Sequence, residues 1–245
     1  MSVVKIPEQK WILSYGGGVN TTALMIFLIR ERMRLDQAIF ADTGNELPET
    51  YSYLKVARKY LADFNVELKT VHVVNGDTLS ERCERRGVIP SQIWRWCTRD
   101  FKIRPIYAYY RSLGVTIHQY LGIDFGEVHR MKDSHAEYVI NEYPLIEARM
   151  RREDCVKLIE DEGLPVPPKS GCYFCPFNSD RRWAELLETH PRLYSKSIAL
   201  EENSKHFPTQ KLNHITLREL KQEISLGIGS GESPPSDLCD GHCML

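Results

Sequence analysis

The chain lacks a charge bias. Its 32 basic residues nearly cancel 33 acidic ones, for a net charge of -1, so no global field draws it to nucleic acid. It also lacks an apolar run long enough to span a bilayer. Met1 to Lys10 is polar and has no signal-peptide pattern. A cytoplasmic protein with no membrane partner is therefore expected, in a compartment that keeps thiols reduced. Its seven cysteines then point to metal, cluster or redox chemistry before a disulfide framework. No internal repeat is visible. The one glycine triplet has no lysine after it, which excludes a Walker A loop, and it does not form G-x-G-x-x-G.

Short apolar runs alternate with amphipathic stretches over the first third. Trp11–Leu13, Ala38–Ala41, Leu68–Val74 and His118–Leu121 read as strands. Thr22–Arg32 and Pro48–Ala62 read as helices, the second with proline in its first turn. A short helix runs toward Arg85, capped by Asp77 or Thr78. Such alternation predicts an α/β fold with a parallel sheet and helices on both faces. From Glu147 the pattern turns helical, over Arg151–Glu162, Asp180–Thr189, Pro191–Asn203 and Leu217–Ile224. The expected division is an α/β nucleotide-binding core at 1–146, a helical part at 147–226, and a flexible cysteine-bearing tail at 227–245.

Ser14-Tyr15-Gly16-Gly17-Gly18-Val19-Asn20-Thr21-Thr22 joins the first strand to the first helix. Glycines allow close approach of a ligand to the backbone. The helix start carries roughly half a positive charge, so a phosphate fits there. Ser14, Thr21 and Thr22 add hydroxyl donors. Further on, Glu127, His129 and Arg130 follow a strand end. Arg130 suits pyrophosphate, Glu127 suits Mg²⁺ or a ribose, and His129 reads as a surface residue.

Phe40-Ala41-Asp42-Thr43-Gly44-Asn45-Glu46-Leu47-Pro48-Glu49-Thr50-Tyr51 resembles the D-T-G-x-x-x-P-E-T-Y signature of the phosphoadenosine phosphosulfate (PAPS) reductase family, within the PP-loop ATP-pyrophosphatase superfamily. The resemblance extends over Cys97 with Lys102 and Pro105, Leu121-Gly122-Ile123-Asp124 with Glu127 and Arg130, Tyr143-Pro144-Leu145, and Cys172-Tyr173-Phe174-Cys175-Pro176. It implies a doubly wound, mostly parallel, adenine nucleotide alpha-hydrolase-like sheet. The nucleotide, ATP or an adenylyl sulfate (APS or PAPS), would bind to Ser14, Gly16, Gly17, Gly18, Asn20, Thr21, Thr22, Asp42, Thr43 and Gly122. The sequence departs from the usual S-G-G-x-D-S loop, with Gly16, Asn20 and Thr21 in place of Ser, Asp and Ser.

Cys172-x-x-Cys175 can direct two sulfurs at one metal. The resemblance adds Cys97 and implies that the three hold a [4Fe–4S] cluster, with Zn²⁺ as the alternative. Cys83, Cys239 and Cys243 are candidates for a fourth ligand, and Cys155, at helical spacing, reads as core. Arg95, Arg99, Lys102 and Arg104 with Trp94 and Trp96 form a basic, aromatic strip suited to the phosphate backbone and a stacked base of DNA or tRNA, or equally to the phosphates of a small nucleotide.

Together these readings suggest an ATP pyrophosphatase that adenylates an acceptor for sulfur insertion, with Asp42, Glu127, Arg130 and Cys243 as catalytic candidates and a cysteine desulfurase as sulfur donor. Within the family, the motif set most resembles the small ATP-pyrophosphatase component of DNA phosphorothioation systems and its phage-borne relatives. An adenylyl sulfate reductase reset by thioredoxin, a tRNA thiolase and a non-enzymatic nucleotide-sensing module are the alternatives.

Overall fold

A computed structural model describes residues 8–205 and 215–226. The tail, with Cys239 and Cys243, lies outside the described residues. The five strands β1 (Gln9–Ser14), β2 (Gln37–Ala41), β3 (Glu67–Val71), β4 (Thr116–Leu121) and β5 (Val139–Glu142) form one parallel sheet in the order β3-β2-β1-β4-β5. The order reverses direction between β1 and β4. In such sheets the crevice at the carboxyl ends of those two strands is the usual ligand position.

Alternation along the strands sorts side chains to two faces. Leu13, Ala38 and Phe40 join one core with α1 (Val19–Arg30) and α2 (Pro48–Ala62). Ile12, Ile39 and Ala41 join another on the opposite face. Each fully buried aliphatic side chain there stabilises the fold by about 1.5–3 kcal/mol. After β3 the chain forms α3 (Leu79–Arg86), opened by a Thr78–Glu81 capping box. A π-helical segment, Thr98–Ile103, then leads into α4 (Arg104–Leu113), which covers the second face with Ile106 and Tyr110. A 3-10 segment, Phe125–Arg130, follows β4, and α5 (Pro144–Glu147) follows β5.

The C-terminal helices divide their packing. Helix α6 (Arg152–Asp161) packs on α1 and places Cys155 and Ile159 in the first core. Helices α7 (Asp180–Thr189), α8 (Pro191–Glu202) and α9 (Leu217–Ser225) enclose a further core with α3 and the Cys172 loop, centred on the buried Trp183 and Tyr194. Among the described residues no helix is long and apolar enough to cross a membrane.

One close approach closes the switch point. A Cβ on Gly122 would lie 2.6 Å from Thr21 Cγ2 and 2.9 Å from the Thr21 backbone. Only a residue without a side chain lets the β4 exit pass against the first turn of α1. Gly122→Ala should therefore lose about 1–3 kcal/mol of stability in chemical denaturation, with secondary structure retained by circular dichroism.

Candidate functional site at the sheet switch point

The glycine loop turns sharply after β1. Gly17 has φ +76, and a Cβ there would meet Thr50 Cγ2 at 3.3 Å; one on Gly18 would meet Ser170 Oγ at 3.2 Å. Helix α1 begins at Val19, and its first intrahelical bond runs from Thr22 N to the Gly18 carbonyl. The preceding amides, Gly18 to Thr21, point out of the helix start, where they suit an anion. Inside the loop, Gly16 N donates to Thr21 Oγ1 at 3.3 Å, and Thr21 Oγ1 donates to the Gly18 carbonyl at 3.1 Å. Thr22 is fully buried, its hydroxyl 3.0 Å from Tyr15 Oη. Both threonines therefore brace the loop. Ser14 ends β1 and is buried on the α4 side of the sheet.

Asn20 connects this loop to the segment after β4. Its Nδ2 donates to Asp124 Oδ2 at 2.9 Å and to Glu127 Oε2 at 3.2 Å. Asp124 also accepts from Gly126 N at 2.7 Å, and Glu127 is ion-paired with the buried Arg130. Asn20 Oδ1 is buried without a hydrogen-bond partner among the described residues. The predicted Asn20, Gly122, Glu127 and Arg130 thus meet at one place, and the structure adds Asp124. His129 is exposed. Asp42 stands elsewhere, on the loop after β2. Its Oδ1 accepts from Gly44 N at 2.7 Å and from Tyr51 Oη at 2.8 Å. Burial, followed by that bond to Asp42, pushes the Tyr51 phenol up and keeps it a donor.

The Asp42 loop joins the cysteine loop. Glu46 and Cys172 form an antiparallel bridge, with Leu47 N on the Gly171 carbonyl and Tyr173 N on the Asn45 carbonyl. Cys175 N donates to the Cys172 carbonyl, so the two cysteines share a tight turn. Cys97, Cys172 and Cys175 line one cavity of about 30 Å³, together with Thr43, Lys102 and apolar Leu79 and Phe174. Among the described residues no group of three or more His, Cys, Asp or Glu is placed to hold a metal ion. A cubane cluster spreads its thiolates wider than an ion does, and sulfur donors on an apolar wall fit its chemistry. Cys172 Sγ lies 3.1 Å from Thr43 Oγ1 and 3.7 Å from Glu46 Oε1. Burial first, then the Glu46 carboxylate, hold its thiol well above the ordinary range, against the pull of Lys102. Cys83 is buried in the adjoining core and does not line the cavity.

Besides Asp124, two residues escaped the sequence reading of the site. Glu46, buried, pairs with Lys102 Nζ at 3.7 Å beside the cysteines. Ser170 lies over the glycine loop. Glu46 sat inside the quoted motif, and a charged residue within an otherwise capping and turn-forming run was its only signal. The basic, aromatic strip is corrected by the structure. Trp96 is buried, in contact with Phe101, because the segment is helical and turns it into the core. Arg99 and Arg104 share Asp100. Trp94 alone of the two indoles is exposed.

A parallel sheet with a glycine-rich strand-to-helix loop at its switch point defines the class as an open-sheet α/β fold. Residues 10–121 match the model of the phosphoadenosine phosphosulfate reductase domain, which supports a PP-loop domain of that type over this stretch. An uncharacterized protein of Methanocaldococcus jannaschii is 27% identical over 200 residues, covering 76% of this chain and 46% of its own length, so the chain spans about half of that relative. The fold is similar to a PAPS reductase from Candida auris in a phosphate complex, at 16% identity and TM-score 0.47 over 70% of this chain and 84% of that one. It is also similar to the U34-tRNA thiolase NcsA from Methanococcus maripaludis with its [4Fe–4S] cluster, at 17% identity and TM-score 0.48 over 84% and 75%.

Asn20→Asp tests the electrostatics of the switch point. The new carboxylate faces Asp124 and Glu127, so its folded-state pKa rises above the unfolded value. Stability should then fall as pH rises through the unfolded pKa toward the folded one, with the full loss of about 1–3 kcal/mol at neutral pH. Thermal melts should show recovery at mildly acidic pH and on addition of Mg²⁺.

Proposed function

We propose that the chain is an ATP pyrophosphatase that adenylates an oxygen for its replacement by sulfur. The observation that carries this reading is the meeting of the open amides at the start of α1 with the Asn20–Asp124–Glu127–Arg130 cluster. The acceptor oxygen attacks the α-phosphorus of ATP. The bond from that phosphorus to the bridging oxygen breaks, and pyrophosphate leaves. The loop amides and the helix dipole offset the charge on the departing phosphates, and Arg130, held by Glu127, adds positive charge beside them. Asp124 and Glu127 would hold Mg²⁺, which supplies further charge neutralisation. The outer sulfur of a persulfide formed by a cysteine desulfurase then displaces AMP, which carries away the acceptor's oxygen. A second thiol attacks the carrier sulfur and frees the thiolated acceptor, and the disulfide so formed is reset by an external dithiol.

Cys97, Cys172 and Cys175 would hold a [4Fe–4S] cluster, or zinc, whose chemistry is a thiophilic metal beside the nucleotide site. Asp42 serves as a brace, holding the loop that seats Thr43 against Cys172. The acceptor assigned here is a DNA phosphate, as in phosphorothioation; it rests on the motif set. The match to a reductase domain favours a second reading, in which a tail thiol such as Cys243 attacks the sulfur of adenylyl sulfate and expels AMP, after which a thiol of thioredoxin attacks the cysteine sulfur, a disulfide forms and sulfite leaves.

The purified protein should release pyrophosphate from ATP in the presence of acceptor, and no sulfite from adenylyl sulfate. Sulfite release without ATP turnover would establish the second reading instead. Gly17→Val, with Gly18→Ala as the milder variant, should weaken ATP binding by at least about tenfold, with unaltered circular dichroism. Anaerobically prepared protein should contain iron and acid-labile sulfide. Cys97→Ala should lose both, together with the visible absorbance, and keep ATP affinity. Zinc without labile sulfide would replace the cluster by a zinc site.

A further inference from the structure

A further cavity adjoins both the glycine loop and the cysteine turn, with Ser14 and Lys102 in its lining. It measures about 580 Å³ and lies on the α4 face of the sheet. That volume is in the usual range for a small-molecule site. Its floor is polar: Ser14, Gln119 and Asn141 come from three neighbouring strands, and Gln119 Nε2 donates to Asn141 Oδ1 at 3.2 Å. Gln119 is buried on the face that also carries the apolar Ile12, Ile117 and Val139. Tyr107 and Tyr138 line the walls. The Tyr138 hydroxyl is buried and has no hydrogen-bond partner among the described residues. Around it stand Arg104, Arg111, Lys132 and His135, against the single carboxylate of Asp133.

These features define a ligand. A basic rim over aromatic walls and an amide floor suits a phosphate joined to a flat, hydrogen-bonding ring, since amide side chains read base edges and tyrosines stack on base faces. The cavity also has two telling neighbours. Ser14, on its wall, is the first residue of the phosphate loop. Lys102, on its wall, also lines the cysteine cavity. A ligand here would abut both the nucleotide phosphates and the sulfur-bearing side.

We infer that the α4-face cavity is the acceptor site, and that it takes a nucleotide unit of a single-stranded DNA, base inward and phosphate at the rim. The inference rests on the adenylating function proposed above for its chemistry, but its geometry is independent of that reading. ATP stays on the glycine loop and the β2 side.

The test measures two affinities on the same full-length protein, one for a fluorescent single-stranded oligodeoxynucleotide and one for ATP. The double variant Arg111→Glu with Lys132→Glu should weaken oligonucleotide binding by at least about tenfold and flatten its salt dependence, while ATP affinity stays within about twofold. Tyr138→Phe removes one hydroxyl without changing the fold and should weaken the oligonucleotide several-fold. Equal melting temperatures exclude a folding defect. Unchanged oligonucleotide affinity in both variants would overturn the inference. Loss of ATP affinity in either would make the cavity part of the ATP site and overturn it as well. An RNA oligonucleotide of the same sequence bound more tightly would reject DNA as the source of the unit. If oligonucleotide binding responds as expected but no pyrophosphate is released from ATP, the adenylating function fails and the cavity assignment stands.

Discussion

The pairing of the loop after β2 with the cysteine loop is the constraint on which the site depends. Glu46 and Cys172 are far apart in sequence, yet their backbones form a bridge, and Leu47 and Tyr173 complete it with amide bonds. The bridge brings Thr43 to Cys172 and places Ser170 over Gly17 and Gly18. It also buries the Glu46 carboxylate beside Lys102. A buried carboxylate needs such a cation, because leaving it uncompensated is costly. The pair thus ties the π-helical segment, which Cys97 directly precedes, to the same corner. Glycine loop, acidic turn and cysteines become one assembly through this contact, although none of them adjoins the others along the chain.

The second determinant is the reversal of strand order between β1 and β4. It sets the helix start at Val19 against the segment after β4, with Gly122 as the point of closest approach. The asparagine in the loop then has a physical account. Asp124 and Glu127 already supply two carboxylates, and Asn20 donates an N–H to each. An acidic residue at this place would add a third negative charge with no proton to share. The departure from the usual loop sequence is therefore matched by its surroundings.

Much of the fold was legible because its signals are local. Four strands and the helices α1, α2, α6, α7, α8 and α9 follow from apolar periodicity, and Pro48 marks the start of α2 where the structure has it. The missed elements have weak local signals. Strand β5 is only Val139-Ile140-Asn141-Glu142, and it exists because β4 pairs with it. The stretch from Thr98 to Leu113 reads as a scatter of arginines and tyrosines. Its helical turn emerges only when Ile106 and Tyr110 meet the sheet. The misplaced Trp96 has the same origin, since indole beside arginine looks like a binding strip until a core claims it. Helix α6 shows a related limit. Its periodicity was plain, but its packing on α1 joins it to the first core.

By itself the sequence determined the class of fold, the position of the glycine loop at a strand-to-helix junction, and the close spacing of Cys172 and Cys175, while Cys97 joined them only through the family resemblance. Strand alternation, turn chemistry and residue type carry that information within a few neighbouring positions. Only the tertiary structure decided that Asn20 faces two carboxylates, that Glu46 and Lys102 flank the cysteines, that Asp42 braces a loop, and that a basic cavity opens on the α4 face. Apart from the Asp42 brace, which reaches only to Gly44 and Tyr51, those facts concern residues separated by many tens of positions. Their contacts are set by strand order and by burial of charge, and neither is written in any one segment of the chain.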